Sequence, residues 1–213
     1  MTTQCFVGFD PGGKNAFGWA VLEERDGALG HLRSGTCSDA QSAFETARAN
    51  VSAPPVAVGI DSPLFWVATG ERKADLEVRA ALRKARKPTS TVIHVNSLRG
   101  ACLVQGALVA NLVMENWPNA GVTEAHPKAL AYLWPEIRSV IERLQGMTGS
   151  EHEMDAASAA YAAYMYSIAS PGWRDLALGE KSVFPKFRSP VAYWFPRCDL
   201  IPDFVPREGK YHF

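Results

Sequence analysis

Two short apolar runs in this chain each end on an aspartate that is followed by a proline-containing turn. Residues 4–9 lead into Asp10, and residues 56–60 lead into Asp61. A continuous apolar run of this length is typical of a strand that is buried on both faces, as in a parallel sheet. If the two strands are parallel neighbours, their terminal carboxylates converge at the sheet edge where α/β proteins bind ligands.

The rest of the pattern predicts an α/β fold with a mixed sheet. The first three strands are joined by short turns, which indicates antiparallel pairing. Later strands alternate with helices, which indicates parallel strands with helices on both faces. The expected strands are 4–9, 16–23, 28–36, 56–60, 91–95 and 121–125, and the expected helices are one that begins after Ser38, then 71–87, 99–116, 127–145 with a break at Pro135, and 150–169.

Composition is that of an ordinary globular protein and does not identify a partner. The chain has 213 residues, of which 47% are hydrophobic, and 22 basic residues balance 22 acidic ones. Without net charge there is no overall attraction to nucleic acid, so such binding would need a local basic patch. Residues 1–170 are predicted to form one domain. The proline- and aromatic-rich residues 171–213 could wrap that domain, form a partner interface such as that of a homodimer, or cover the site.

Cysteine usage and apolar stretches predict a cytoplasmic protein. The four cysteines lie far apart, and no C-x-x-C pair is present, so reduced thiols are expected. The first residues lack the basic start and long apolar core of a signal peptide. The longest apolar stretch, 101–114, is broken by Gln105 and Asn111 and is too short to span a bilayer. We therefore expect no membrane contact.

A third acidic residue, Asp155, lies in the first turns of the predicted helix 150–169. The small residues that follow it would let this helix pack closely on the sheet. His152 and Glu151 precede Asp155 by three and four residues, so all three share one helix face. The alternative is an acidic helix start that is simply exposed to solvent.

Glu124 ends the predicted strand 121–125 and is a candidate fourth carboxylate. An ordinary polar strand end is the alternative for Glu124, and a turn cap is the alternative for Asp10 and Asp61. Oxygen ligands without cysteine pairs favour Mg²⁺ or Mn²⁺ over zinc. Carboxylates at several strand and helix ends therefore predict a site for one of these two cations.

Residues 72–87 carry seven basic side chains against two acidic ones, a local excess in a neutral chain. Arg72 and Arg79 belong to this segment, and Lys14 lies in the turn that follows Asp10. These three residues are predicted to bind substrate, because such a patch can hold a phosphate backbone. A solvated helix face is the alternative interpretation.

Two motifs resemble those of Holliday-junction resolvases in the ribonuclease H-like superfamily. Residues 8–12 and 17–21 are similar to the opening of those enzymes, and the H-x-x-D-A motif at 152–156 is similar to their last catalytic helix. The resemblance implies a ribonuclease H-like fold whose acidic cluster binds Mg²⁺ and hydrolyses phosphodiesters. The chain differs in having aspartate at position 61, where resolvases usually have glutamate, and in lacking their doubled aspartate in the last helix.

Three other motifs resemble a second branch of the same superfamily. They are G-I-D-S-P-L at 59–64, E-A-H-P at 124–127 and the arginines of the segment 72–79. This branch is the domain-of-unknown-function 429 family, whose members are predicted nucleases. Taken together, the motifs cover most of residues 4–169 and none of the C-terminal segment.

The leading hypothesis is a metal-dependent nuclease acting on nucleic acid. Asp10 would bridge two metals, Asp61 and Asp155 would each hold one, and Glu124 would be a further ligand. His152 would move protons or position the attacking water.

Two other functions fit parts of the sequence. One is an ATP-dependent phosphotransferase of the sugar-kinase and actin group, with Gly12 and Gly13 meeting the nucleotide phosphates. Those proteins normally duplicate the domain, and 213 residues are too few for two copies. The other is a non-catalytic binding or scaffold domain, which fits the neutral charge and the aromatic C-terminal segment.

Overall fold

The computed structural model describes residues 3–13, 15–67, 71–92, 100–145, 149–180, 183–184 and 191–200. The strands are β1 (Thr3–Asp10), β2 (Phe17–Arg25), β3 (Ala28–Cys37), β4 (Ala57–Ile60), β5 (Trp66–Val67), β6 (Gly121–Glu124), β7 (Trp173–Asp175), β8 (Val183–Phe184), β9 (Val191–Ala192) and β10 (Trp194–Pro196). The helices are α1 (Ala40–Asn50), α2 (Lys73–Lys84), α3 (Gly100–Asn116), α4 (Pro127–Leu133), α5 (Glu136–Gln145) and α6 (Glu151–Ser167).

The main sheet has six strands in the order β3-β2-β1-β4-β6-β9. β1, β2 and β3 pair antiparallel, whereas β4, β6 and β9 run parallel to β1. The predicted order of antiparallel strands followed by parallel ones is therefore confirmed. β1 and β4 are direct neighbours, with Phe9 opposite Ile60, so both strands end at the same edge of the sheet.

The sixth strand comes from the C-terminal segment and not from residues 91–95. Thr91 ends a short 3-10 helix, Thr89–Thr91, so the predicted strand was wrong at its start, and residues 93–95 lie outside the described ranges. β9 takes the edge position beside β6, and the Trp194 N–H donates to Thr123 Oγ1 at 2.9 Å. A two-residue strand is too short to show any periodicity in the sequence.

Helices cover the sheet on both faces. α1 and α3 pack on one face, where Phe44 and Val109 belong to the same buried apolar cluster. α2, α4, α5 and α6 pack on the other face, together with buried aromatic residues of the C-terminal segment such as Trp173 and Phe195. Across the described part of the chain, every helix is too short or too polar to cross a lipid bilayer.

α6 rests directly on the strands because glycines face it. A Cβ atom on Gly8 would lie 1.9 Å from the Ala156 carbonyl oxygen, and one on Gly59 would lie 2.0 Å from that of Ala159. Gly8 and Gly59 are partners in the β1–β4 register, so together they form a shallow seat for the helix. Close backbone approach is the usual reason for glycine within a strand. This contact sets the first turns of α6 against the carboxyl ends of β1 and β4.

Candidate metal centre

Three elements deliver carboxylates to one edge of the sheet. Asp10 is the last residue of β1, Asp61 directly follows β4, and Asp155 lies near the start of α6. The Asp61 N–H donates to the Phe9 carbonyl at 2.8 Å, which fixes its backbone beside Asp10. One oxygen of each of the three carboxylates lies within 4.8 Å of the others. We call Asp10, Asp61 and Asp155 the carboxylate triad.

The start of α6 is fixed by its own cap. Ser150 Oγ accepts a hydrogen bond from the Glu153 N–H, and the Glu153 carboxylate accepts one from the Ser150 N–H. This reciprocal pair is a capping box, which satisfies two backbone donors that a helix start leaves without intrahelical partners. Glu151 pairs with Lys128 at 2.7 Å. Thus neither glutamate joins the triad, and Asp155 is the carboxylate that α6 contributes.

His152 contacts the triad through Asp10. Its Nδ1 donates a hydrogen bond to Asp10 Oδ2 at 2.7 Å. The His152 side chain is 41% exposed, whereas Asp10 is buried. The ring therefore orients a buried carboxylate while keeping part of its own surface in contact with solvent.

A cleft of about 360 Å³ opens over the triad. The triad and His152 contribute to its wall, and so do residues from the loops that follow β1 and β4, from the 3-10 helix, from α3 and from the start of α4. These further residues are Pro11, Gly12, Pro63, Ser90, Thr91, Cys102, His126, Pro127 and Lys128.

Burial raises the pKa of every member of the triad, and repulsion within the triad adds to this at Asp61 and Asp155. The pKa of Asp61 lies well above its usual value because of burial and then because of the charges on Asp10 and Asp155. Burial and the charge on Asp10 raise the pKa of Asp155 to about 7. Burial also raises the pKa of Asp10, although the hydrogen bond from His152 opposes the change. The positive groups nearby thus do not offset the burial and repulsion that raise these pKa values.

The donor set fits a hard divalent cation. Oxygens on opposite sides of such an ion lie about 4–5 Å apart, which matches the spacing of the triad. A cation would also remove the repulsion that raises these pKa values. Among the described residues, no Lys, Arg or His side chain bonds to the carboxylate of Asp61 or Asp155.

Lys128 is a cleft residue that the sequence analysis missed. It is the second residue of α4, and its charge lowers the pKa of all three carboxyls of the triad. Its side chain is 54% exposed. The only signal in the sequence was its position directly after the motif at 124–127, because its nearness to the triad depends on how α4 lies beside α6.

A second charged cluster, formed around Arg72, is fully buried. All five N–H donors of the guanidinium are used: three of its bonds go to Glu124 and Phe65, and two go to Asp75. The guanidinium also stacks on the Phe65 ring, with 4.6 Å from its central carbon to the ring centroid. Arg72 is 0% exposed, so it has no free face to offer a substrate phosphate. We call Arg72, Asp75, Glu124 and His126 the arginine cluster.

Glu124 belongs to the arginine cluster and is not a free ligand beside the triad. Its two oxygens accept four hydrogen bonds, two from Arg72, one from the Leu64 N–H and one from His126 Nε2. Burial alone would raise the pKa of Glu124, but Arg72 and His126 outweigh it and lower the pKa to about 2. The ring of Tyr193, from the C-terminal segment, stacks on His126 with 5.0 Å between centroids. This carboxylate therefore stays ionised through internal partners.

Arg79, another predicted substrate-binding residue, does not line the cleft. Arg79 forms an ion pair with Glu71 and donates to the Asp75 carbonyl at 3.4 Å. Lys14 lies outside the described residues. The structure thus brings the three aspartates and His152 together at the cleft, and Lys128 and His126 also contribute to its wall.

A comparison with protein families gives one match. Residues 8–152 match the model of a family described as "Protein of unknown function (DUF429)". The chain belongs to this family. The part that matches this DUF429 model includes Asp10, Asp61, His152 and the whole arginine cluster. Neither a curated protein nor a solved structure matches the chain.

Proposed function

We propose that this chain is a divalent-metal-dependent hydrolase of phosphodiester bonds in nucleic acid, with a ribonuclease H-like fold. The mixed sheet supports the fold, since three antiparallel strands precede parallel ones and helices lie on both faces. The carboxylate triad carries the proposed activity. Three partly buried acids converge from distant stretches of chain at the edge of the sheet where ligands bind in α/β proteins.

The triad would hold Mg²⁺ or Mn²⁺, with Asp10, Asp61 and Asp155 as the protein ligands. When bound, the metal supplies a Lewis acid that polarises the phosphate and activates water. His152 keeps the Asp10 carboxylate in one orientation through its 2.7 Å hydrogen bond. Because part of the His152 ring is exposed, it can also exchange protons with solvent during the reaction.

Lys128 would bind a non-bridging oxygen of the substrate phosphate. Its present partner, Glu151, is exposed, and an exposed ion pair contributes only about 0–1 kcal/mol. A phosphate that enters the cleft can therefore compete for the Lys128 ammonium at small cost. Lys128 would supply positive charge that Arg72 and Arg79 were expected to supply.

A purely structural role does not account for the triad. Burial and then neighbouring carboxylates raise the pKa of Asp61 and Asp155, so these groups weaken the fold when they are ionised. A scaffold domain would gain nothing from this arrangement. A binding site for a cation would gain both affinity and orientation from it.

The test is a cleavage assay on purified protein with Mg²⁺ or Mn²⁺ and with single-stranded, duplex and branched DNA and RNA. Asp10→Asn and Asp61→Asn should each lower the cleavage rate by roughly 100-fold or more, because one ligand of the metal is lost. Asp26→Asn is the matched control. Asp26 lies in the β2–β3 turn with a positive φ of 50°, which asparagine also tolerates.

Two results would refute the assignment. One is cleavage that is unchanged in Asp10→Asn and Asp61→Asn. The other is a folded, metal-loaded protein without cleavage of any of these substrates, which would favour a non-catalytic role.

A further inference from the structure

Exposed cations and one exposed aromatic ring lead away from the cleft. Lys128 lines the cleft, and Tyr132 lies one helical turn further along α4. The ammonium of Lys87 lies 5.5 Å from the centroid of the Tyr132 ring. Arg83 and Arg86 lie shortly before Lys87 in the chain, at the end of α2, and are exposed. We call these five residues the basic track.

The solvent-exposed face of α4 consists of only three residues. Most of the helix is buried, and its exposed residues are Lys128, Ala131 and Tyr132. Tyr132 is 38% exposed, so part of its ring is open to solvent. The helix therefore presents one cation and one aromatic surface in succession, starting from the cleft.

The end of α2 is continuous with the wall of the cleft. Residues 83–87 contain four Lys and Arg residues and no acidic residue. They are followed by Pro88 and the 3-10 helix, of which Ser90 and Thr91 line the cleft. The concentrated charge thus lies only a few residues along the chain from Ser90 and Thr91 in the cleft wall.

Arg86 has an unfavourable backbone conformation for its residue type. Its φ is +53°, and the Lys87 N–H that follows donates to the Leu82 carbonyl, which closes the end of α2. Glycine is the usual residue at such a helix end because a side chain is strained there. Arg86 places an exposed charged side chain at this helix end.

We propose that the basic track binds single-stranded nucleic acid, with phosphates on its cations and an unpaired base stacked on Tyr132. This inference rests on the proposed function, because it names the substrate class of the same cleft. Alternating cations and exposed aromatic rings are the usual means of binding single strands. A duplex keeps its bases paired and offers Tyr132 nothing to stack on. The strand would enter the cleft past Lys128.

The experiment measures binding by fluorescence anisotropy with a short labelled oligothymidylate, and with the same strand annealed to its complement. EDTA is present, so that no cleavage occurs. Wild-type protein should bind the single strand about ten-fold more tightly than the duplex, the size expected for one stacked base. Tyr132→Ala should remove that preference, and Tyr132→Phe should keep it.

The basic side chains of the track can be tested separately from Tyr132, through the salt dependence of binding. Lys87→Gln should weaken binding of both DNA forms and reduce the slope of log affinity against log salt by about 0.7 for the single strand. Arg48→Gln is the matched control, because Arg48 is an exposed cation on α1, which packs on the other face of the sheet. It should leave both affinities unchanged.

Several results would overturn the proposal: no binding to the single strand, equal affinity for the duplex, or an unaltered preference in Tyr132→Ala. These results are independent of the cleavage assay, since no metal is needed for them. Single-strand binding without cleavage would refute only the hydrolase. Cleavage without single-strand preference would refute only the basic track.

Discussion

The carboxylate triad and the arginine cluster lie at the same edge of the sheet but differ in how their carboxylates are neutralised. Both place three candidate ligand atoms within 4.8 Å of one another, so spacing does not distinguish them. In the cluster, the Arg72 guanidinium supplies the positive charge that a metal ion would otherwise supply, and it donates five hydrogen bonds. In the triad, His152 donates a hydrogen bond to Asp10, and among the described residues no basic side chain bonds to Asp61 or Asp155. A close group of acids indicates a metal site only where the protein does not already supply the neutralising charge.

The largest effect should come from removing the internal cation. Arg72→Met leaves Asp75 and Glu124 buried without their partner, and breaking a buried pair in this way costs about 3–5 kcal/mol. Equilibrium unfolding in denaturant should show this loss, or the variant should fail to fold. Adding Glu124→Gln to Arg72→Met should restore part of the loss. A change below about 1 kcal/mol would mean that the cluster is not held together by its charge.

Metal addition should stabilise the protein through the triad alone. At a Mn²⁺ concentration one hundred times the dissociation constant, the free energy of unfolding should rise by about 2.7 kcal/mol. Asp61→Asn should abolish this increase, and Asp26→Asn should keep it. Thermal unfolding with and without Mn²⁺ measures both. An equal increase in wild type and Asp61→Asn would place the ion elsewhere.

Without metal, neutralising the triad should stabilise the fold. The pKa of Asp155 is about 7 in the folded protein against an ordinary 3.8, so the folded state disfavours its ionised form. Stability from this group is highest at low pH and falls as pH rises towards 7. Near pH 8, Asp155→Asn should therefore raise the free energy of unfolding by about 2 kcal/mol.

Glu124 should show the opposite dependence on pH. Its folded pKa of about 2 lies below the ordinary 4.5, so the stability that it contributes is present above 4.5 and falls as the pH approaches 2. Melting temperatures of metal-free wild type should thus decline on both sides of mildly acidic pH. Asp155→Asn should remove part of the decline in melting temperature at higher pH. The decline at lower pH should remain. A melting temperature of wild type that does not change between mildly acidic and neutral pH would contradict the raised pKa of Asp155.

The smallest effect on stability should come from Lys128, the exposed cation beside the triad. Lys128→Gln should change the free energy of unfolding by less than about 0.5 kcal/mol, because its ion pair with Glu151 is exposed. The same variant should raise the KM for a cleaved oligonucleotide several-fold, since a phosphate contact is lost. Denaturant unfolding and steady-state kinetics on one preparation separate the effect on stability from the effect on KM. A large loss of stability would assign Lys128 to the fold instead.

The sequence was sufficient where local patterns and chain topology agree. Strands that end on Asp10 and Asp61, with a third acid on a helix of small residues, predicted the convergence that the structure contains. The break between α4 and α5 was visible at Pro135, since proline interrupts a helix. These features depend on short-range rules and on the parallel pairing of two strands.

The sequence was insufficient where a side chain's role depends on distant partners. Arg72 and Glu124 have the same local appearance as a surface cation and a strand-end ligand, and only the folded chain brings them together over 52 positions. Lys128 reaches the cleft because α4 lies beside α6. Likewise, the edge strand β9 has too few residues to be recognised.

The glycine seat beneath α6 also bears on ion selectivity. Because Gly8 and Gly59 bring helix and strand main chains into direct contact, the α6 backbone that carries Asp155 is held close to the strands that carry Asp10 and Asp61. Backbones fixed in this way would keep the distances from the carboxylate oxygens to a bound cation within a narrow range. It should discriminate cations by size, accepting Mg²⁺ or Mn²⁺ while a larger ion such as Ca²⁺, which needs more ligands and longer bonds, is poorly accommodated.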